Sequence, residues 1–293
     1  MKLLMKKTIY IAALLTLILT CVLTIEAKTR RAVVVGLGEQ LDKSWGKING
    51  DKDVPLVVSM LKSNGFTDIA TLTNSRATKA GIVNAFNSLI NRSQKGDIIY
   101  IQFSGHGQMM TDMNGDEKDG FDEAWIPYDA YLKYCSKDKG EKHLSDDEIG
   151  QYLTRLRTKV GNEGAIAVVV DACHSGDSTR DLCETDSFVV RGVDVDFIIP
   201  GKKEKVNSIH GSESWITLSA CQDFQLNQEY NGVGKLTHIL ANNWRDYVGK
   251  SDQAIYQAID ETYETRKYKG PVAQNPRLSG KTGRVLSLIF TKK

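Results

Sequence analysis

The sequence lacks an excess of either charge: 38 Lys and Arg stand against 36 Asp and Glu. Setting aside residues 1–27 leaves 35 of each sign. A polyanion-binding protein normally carries a clear basic excess, so nucleic acid is not an expected partner. Cysteine is scarce, with five in the chain at Cys21, Cys135, Cys173, Cys183 and Cys221. Their wide, irregular spacing matches neither a zinc site nor a dense disulfide framework. It leaves open a pair such as Cys135–Cys183 or a free reactive thiol. No G-x-S-x-G elbow is present, which argues against a serine hydrolase of the α/β type. No internal repeat, low-complexity tract or linker divides the chain after residue 27, so one domain over 28–293 is expected.

The N-terminus does contain a long apolar run. Lys2, Lys6 and Lys7 precede an uncharged stretch from Thr8 to Ile25, followed by Glu26, Ala27 and Lys28. A basic region, an apolar region and a small residue describe a secretory signal, with cleavage expected after Ala27. The protein is then exported, to the periplasm, the cell surface or the medium. An uncleaved anchor or lipid attachment at Cys21 would hold it to a membrane, although Thr20 is bulkier than such sites usually accept.

With 41% hydrophobic and 25% charged residues, the remainder reads as an ordinary globular chain. Buried strands are expected at Arg30–Gly38, Ile69–Leu72, Asp97–Phe103, Ala165–Val170, Trp215–Ala220 and Arg284–Phe290. Helical spacing of apolar residues marks Asp53–Asn64, Arg76–Arg92, Asp146–Arg157 with Ser145 as N-cap, Lys235–Val248 and Asp252–Arg266. Residues 108–143 read as a hairpin and loops. Residues 177–213 read as a long surface loop with a strand-like piece at Asp186–Val190. Strands alternating with helices imply a mainly parallel central sheet with helices on both faces.

Two polar clusters follow two of these strands. His106 lies three residues after Phe103, and Cys173 three after Val170. In open α/β sheets, sites form beyond the carboxyl ends of the strands. Neighbouring parallel strands would bring the imidazole and thiol to one edge, where a thiolate attacks an acyl carbon and histidine moves the proton. Backbone N–H groups near Gly107 and Cys173 could hold the oxyanion. His174 adjoins Cys173, but a neighbour on an extended chain points away from it.

FSGHG at 103–107 and DACHSG at 171–176 resemble the histidine and cysteine boxes of metacaspases and their bacterial caspase-like relatives. The similarity extends to GDEKDGFDEAWIPYD at 115–129, ITLSACQDFQLNQE at 216–229 and QNPRLSG at 274–280. The cysteine box is not the QAC-x-G form of animal caspases, so aspartate specificity is not implied. The resemblance implies a caspase-like three-layer α/β sandwich, a His106–Cys173 dyad, no required cofactor and cleavage after Arg or Lys. It implies an S1 pocket containing Asp171, Ser104 and Asp53, where paired carboxylates would suit a guanidinium. The expected partner is therefore a peptide or protein with Arg or Lys at P1, met by a monomeric enzyme.

Residues 112–123 alternate carboxylates and glycine but miss EF-hand spacing. Some metacaspases are activated by calcium through scattered aspartates, and Asp122, Asp146 and Asp147 correspond to three of these, with Asp177 or Asp181 as stand-ins for the fourth. The loop from 178 to 214 carries Arg180, Arg191, Lys202, Lys203 and Lys205, which makes it a candidate for self-processing from a zymogen. The alternative is an inactive caspase-like module that captures basic peptides. Intact His106 and Cys173 argue against it.

Overall fold

The computed structural model describes residues 28–115, 117, 119–172, 188–193, 195–201, 214–222 and 225–291. Its centre is a six-stranded sheet in the order β12-β9-β7-β3-β1-β2. These strands are β1 (Arg30–Gly36), β2 (Asp68–Thr73), β3 (Ile98–Ser104), β7 (Ala165–Asp171), β9 (Ile216–Ser219) and β12 (Arg277–Gly280). All neighbours run parallel except β12, which is antiparallel to β9. β3 and β7 are buried along their whole length, because both sheet faces are covered and apolar side chains suit both.

The period of two decides which helices each strand residue meets. Ala32, Val34, Tyr100, Ala167 and Val169 face one layer. That layer is built from α1 (Gly50–Ser63), α4 (Lys235–Tyr247), α5 (Asp252–Tyr263) and α6 (Val285–Ile289). Val33, Val35, Ile99, Ile101, Ile166 and Val168 face α2 (Lys79–Arg92) and α3 (Asp146–Val160) on the other side. This is the three-layer α/β architecture. Ser145 caps α3 by accepting from Glu148 N–H, as its spacing implied.

Two smaller sheets sit beyond the strand ends. One joins β4 (Gly107–Thr111), β5 (Phe121–Trp125) and β6 (Leu144–Ser145), realising the expected hairpin. The other joins β8 (Phe188–Arg191), β10 (Asn227–Tyr230) and β11 (Val233–Gly234), with β10 in the middle.

The expected strand at Arg284–Phe290 is instead the short helix α6. The Asp252 carboxylate accepts from the N–H groups of Gly283, Val285 and Leu286 at 2.6, 3.0 and 2.7 Å. That satisfies the donors a helix start leaves open, and Leu286 and Ile289, three apart, then enter the core. The sheet edge is taken by β12, whose sequence RLSG carries almost no apolar signal. The helix expected from Arg76 begins at Lys79, after a single 3-10 turn at Asn74–Arg76, with the Thr78 hydroxyl accepting from Gly81 N–H.

Candidate active site

β3 and β7 pair in a register that sets Ser104 against Asp171. The chain after β3 carries His106, and the chain after β7 leads to Cys173, so the two expected catalytic segments leave adjoining strand ends side by side. Cys173, His174 and Gly176 lie outside the described residues. So do Cys183, Asp177 and Asp181, as well as Arg180, Lys202, Lys203 and Lys205.

His106 is buried, only 2% exposed. Its Nε2 meets the Gly46 carbonyl at 2.8 Å, so Nε2 carries the proton and Nδ1 keeps its lone pair. Nδ1 has no hydrogen-bond partner among the described residues. The Trp45 ring covers the imidazole at 5.1 Å between centroids. Burial lowers the His106 pKa to about 4, against the smaller upward pull of the Gly46 carbonyl. The imidazole is therefore neutral at physiological pH, the state a proton acceptor needs. Gly107 follows as the first residue of β4, opposite Trp125. The Gly46 carbonyl is a site group that no sequence signal marks, since it comes from an irregular segment 60 residues away.

Beside the histidine lies a fully buried cluster of carboxylates, at the place expected for the S1 pocket. Asp53 enters from the first turn of α1, which approaches β3 so closely that a Cβ on Gly50 would stand 2.4 Å from the Ser104 carbonyl. Asp171 ends β7, and Glu229 comes from β10; all three residues are 0% exposed. Each is held by donors of the scaffold. Asp53 accepts from Gly234 N–H at 2.8 Å. Asp171 accepts from Asn227 Nδ2 at 2.8 Å, Thr237 N–H at 2.8 Å and Thr237 Oγ1 at 2.7 Å. Glu229 accepts from Asn49 N–H and Nδ2, both at 2.5 Å. The first N–H groups of α4 thus point at two of the carboxylates, where the helix dipole favours negative charge.

Ser104, expected in this pocket, is buried at its edge. Its hydroxyl accepts from Gln102 Nε2 at 3.0 Å, and the same amide reaches Thr237 Oγ1 at 2.8 Å. It therefore braces Thr237 through Gln102. Glu229, Asn227 and Thr237 went unassigned from sequence, although Asn227 and Glu229 lie inside the stretch ITLSACQDFQLNQE.

The cluster surrounds a cation, Arg191 from the end of β8, itself 0% exposed. Its Nη1 and Nη2 donate to the two Asp53 oxygens at 2.8 and 3.2 Å. Its Nε donates to Glu229 at 3.0 Å, and Nη1 reaches the Asp171 carboxylate at 3.3 Å and carbonyl at 3.1 Å. Burial alone would lower the Arg191 pKa, but Asp53, Asp171 and Glu229 outweigh it and hold the guanidinium charged. Burial raises Asp53 to about 6; Arg191 opposes the rise and the neighbouring Asp171 adds to it. Three carboxylates around one guanidinium leave the site short of positive charge.

The candidate calcium ligands gather elsewhere, at the junction of β5 and α3. Desolvation, then the carboxylates of Glu123, Asp122 and Asp147, raise the Asp146 pKa to about 8. Asp146 as a whole residue is exposed. Among the described residues, no group of three or more His, Cys, Asp or Glu is arranged to hold a metal ion. The cluster as it stands does not fit a preformed cage.

The layered sheet and the paired strand ends place the fold among the caspases. The structure of caspase-1 from Spodoptera frugiperda superposes with a TM-score of 0.56 at 10% identity, covering 86% of each chain. A structural-genomics protein from Geobacter sulfurreducens superposes with a TM-score of 0.62 at 23% identity, covering 86% of this chain and 92% of its own. Residues 30–182 match the model of the metacaspase family, peptidase C14 domain. The chain belongs to the metacaspase family. Metacaspase-1A of Aspergillus fumigatus is 31% identical over 162 residues, and that of Aspergillus niger 30% over the same length. These matches take in 52% of this chain and 36–37% of the relatives, so the chain spans about a third of their length.

Proposed function

We propose that the protein is a cysteine endopeptidase cleaving after Arg or Lys, with Cys173 as nucleophile and His106 as base. The observation that carries the specificity is the acidic pocket of Asp53, Asp171 and Glu229 at the ends of the strands that bear the dyad. In the proposed cycle, His106 accepts the thiol proton at Nδ1, while the Gly46 carbonyl holds its Nε2–H and fixes the ring. The Cys173 thiolate attacks the carbonyl carbon after the basic residue, and backbone N–H groups at Gly107 and Cys173 receive the oxyanion. His106 then returns the proton to the leaving amine. Water, deprotonated by the same imidazole, hydrolyses the thioester and regenerates the thiol.

No cofactor is needed for these steps. Calcium enters only as a candidate activator at Asp122, Asp146 and Asp147. Export of a protein starting at Lys28, a monomeric state and self-processing between residues 178 and 214 complete the proposal. Among the described residues no helix is long and apolar enough to cross a membrane.

The test is cleavage of a positional peptide library by the protein and by Cys173→Ala, each with calcium and with chelator. Cleavage confined to Arg or Lys at P1 and absent from Cys173→Ala is expected. Cleavage at other residues, or unchanged activity in Cys173→Ala, would refute the pocket or the nucleophile respectively. Equal rates with calcium and chelator would remove the metal from the account.

A further inference from the structure

We infer that Arg191 is an internal pseudosubstrate: β8 lies in the substrate cleft as a peptide would, and its guanidinium closes the S1 pocket of the folded protein. This inference rests on the proposed assignment of that pocket, and it names what controls the pocket.

Three observations carry it. The first is that each carboxylate has a donor that does not come from β8. Gly234 N–H donates to Asp53, Thr237 N–H to Asp171 and Asn49 N–H to Glu229. A single guanidinium is shared by Asp53, Asp171 and Glu229, which leaves the carboxylates in excess of the one cation between them. The second is that the arginine arrives on an extended strand. β8 is the edge strand of its sheet, paired antiparallel with β10 in the register Val190 to Gln228 and Arg191 to Asn227. Extended peptides commonly bind by adding such a strand to a sheet edge, with main-chain bonds giving affinity and a side-chain pocket giving specificity. The third is that, among the described side chains of β8, Arg191 alone is fully buried. Val189 and Val190 remain partly exposed, and Val190 packs against the small cluster of Cys221 and Leu226.

A substrate arginine and Arg191 cannot share one set of carboxylates, so the strand must leave before a substrate binds. Apparent affinity for any external guanidinium is then reduced by the fraction of molecules with the strand displaced. Arg191→Ala removes the competitor while leaving the carboxylates and their donors in place. If about 1% of molecules are open, affinity rises on the order of 100-fold.

The experiment compares agmatine binding by calorimetry in proteins carrying Cys173→Ala, with Arg191 intact, with Arg191→Ala and with Arg191→Lys. Agmatine should bind the Arg191→Ala protein about 100-fold more tightly than the parent. The Arg191→Lys protein, which keeps a cation, should lie between them. Equal agmatine affinity in the parent and a folded Arg191→Ala protein would overturn the inference. A second reading needs no variant. In the unaltered protein, phenylglyoxal should modify Arg191 far more slowly than the exposed Arg284, as followed by mass spectrometry, and equal rates would equally overturn it. Peptide cleavage separates the two claims. Cleavage after arginine at the same rate in Arg191-intact and Arg191→Ala proteins with Cys173 present leaves the proposed function standing and sinks the pseudosubstrate. A gain in agmatine binding without cleavage of any peptide does the reverse.

Discussion

Urea unfolding between neutral pH and about pH 4 isolates the buried imidazole of His106. Its pKa falls from 6.5 to about 4 on folding, through burial. Below pH 6.5 the unfolded chain binds a proton at this residue that the folded chain does not. Stability therefore drops as pH falls, by about 1.4 kcal/mol per unit, until the folded group also titrates. The full effect is ~3 kcal/mol, present above the unfolded pKa and lost by about pH 4. Other titrating groups cancel when the parent is compared with His106→Asn. The difference in unfolding free energy between the two proteins should thus shrink by ~3 kcal/mol from about pH 7 to pH 4. A difference that stays constant, or grows towards acid, would falsify the neutral, Gly46-bound imidazole. It would point instead to an imidazolium paired with a thiolate, and the proton would then already reside on His106 before substrate arrives.

Glu229 should decide between arginine and lysine. It meets the guanidinium Nε at 3.0 Å, a position that a lysine ammonium seated on Asp53 cannot also occupy. In an Arg191→Ala background, Glu229→Gln should lower kcat/KM for Arg peptides by roughly 10- to 100-fold, the worth of one charge-assisted hydrogen bond. Lys peptides should lose much less, and an unchanged Arg-to-Lys ratio would dismiss the assignment. Asp252→Ala should destabilise the protein by about 3 kcal/mol in thermal or urea unfolding, because three backbone donors at the start of α6 lose a buried acceptor. A Cβ at position 234 would stand 2.1 Å from an Asp171 carboxylate oxygen. Gly234→Ala should therefore abolish agmatine binding in the Arg191→Ala protein while leaving α4 helical by circular dichroism.

What the sequence disclosed follows from how local each determinant is. β3 and β7 are continuous apolar runs because both faces of the sheet are covered, and the polar residues just beyond them stand out for that reason. Asp171, at the end of β7, and Asp53, in the first turn of α1, stood out only through the family resemblance. α6 was not legible, because VLSLI is a short, mostly apolar run with no helical signal long enough to read, and what turns it into a helix is Asp252, more than thirty residues away. β12 has neither an apolar period nor a buried face to betray it. Glu229 and Arg191 meet through the pairing of β10 with β8, which is long-range although β10 and β11 form a local hairpin, so no window of neighbouring residues reveals that the two charges meet. A strand-like piece near Arg191 was visible; that its last residue turns inward was not.

The edge position of β8 has a colloidal consequence. While it is docked, β10 has a neighbour on each side. Once it leaves, β10 presents a row of unpaired N–H and C=O groups, the kind of edge that other chains extend. On the pseudosubstrate inference, opening the cleft would expose that edge at the same time, and the opened form should need an incoming peptide to stay monomeric. Light scattering on the Arg191→Ala protein should show association that a bound peptide suppresses.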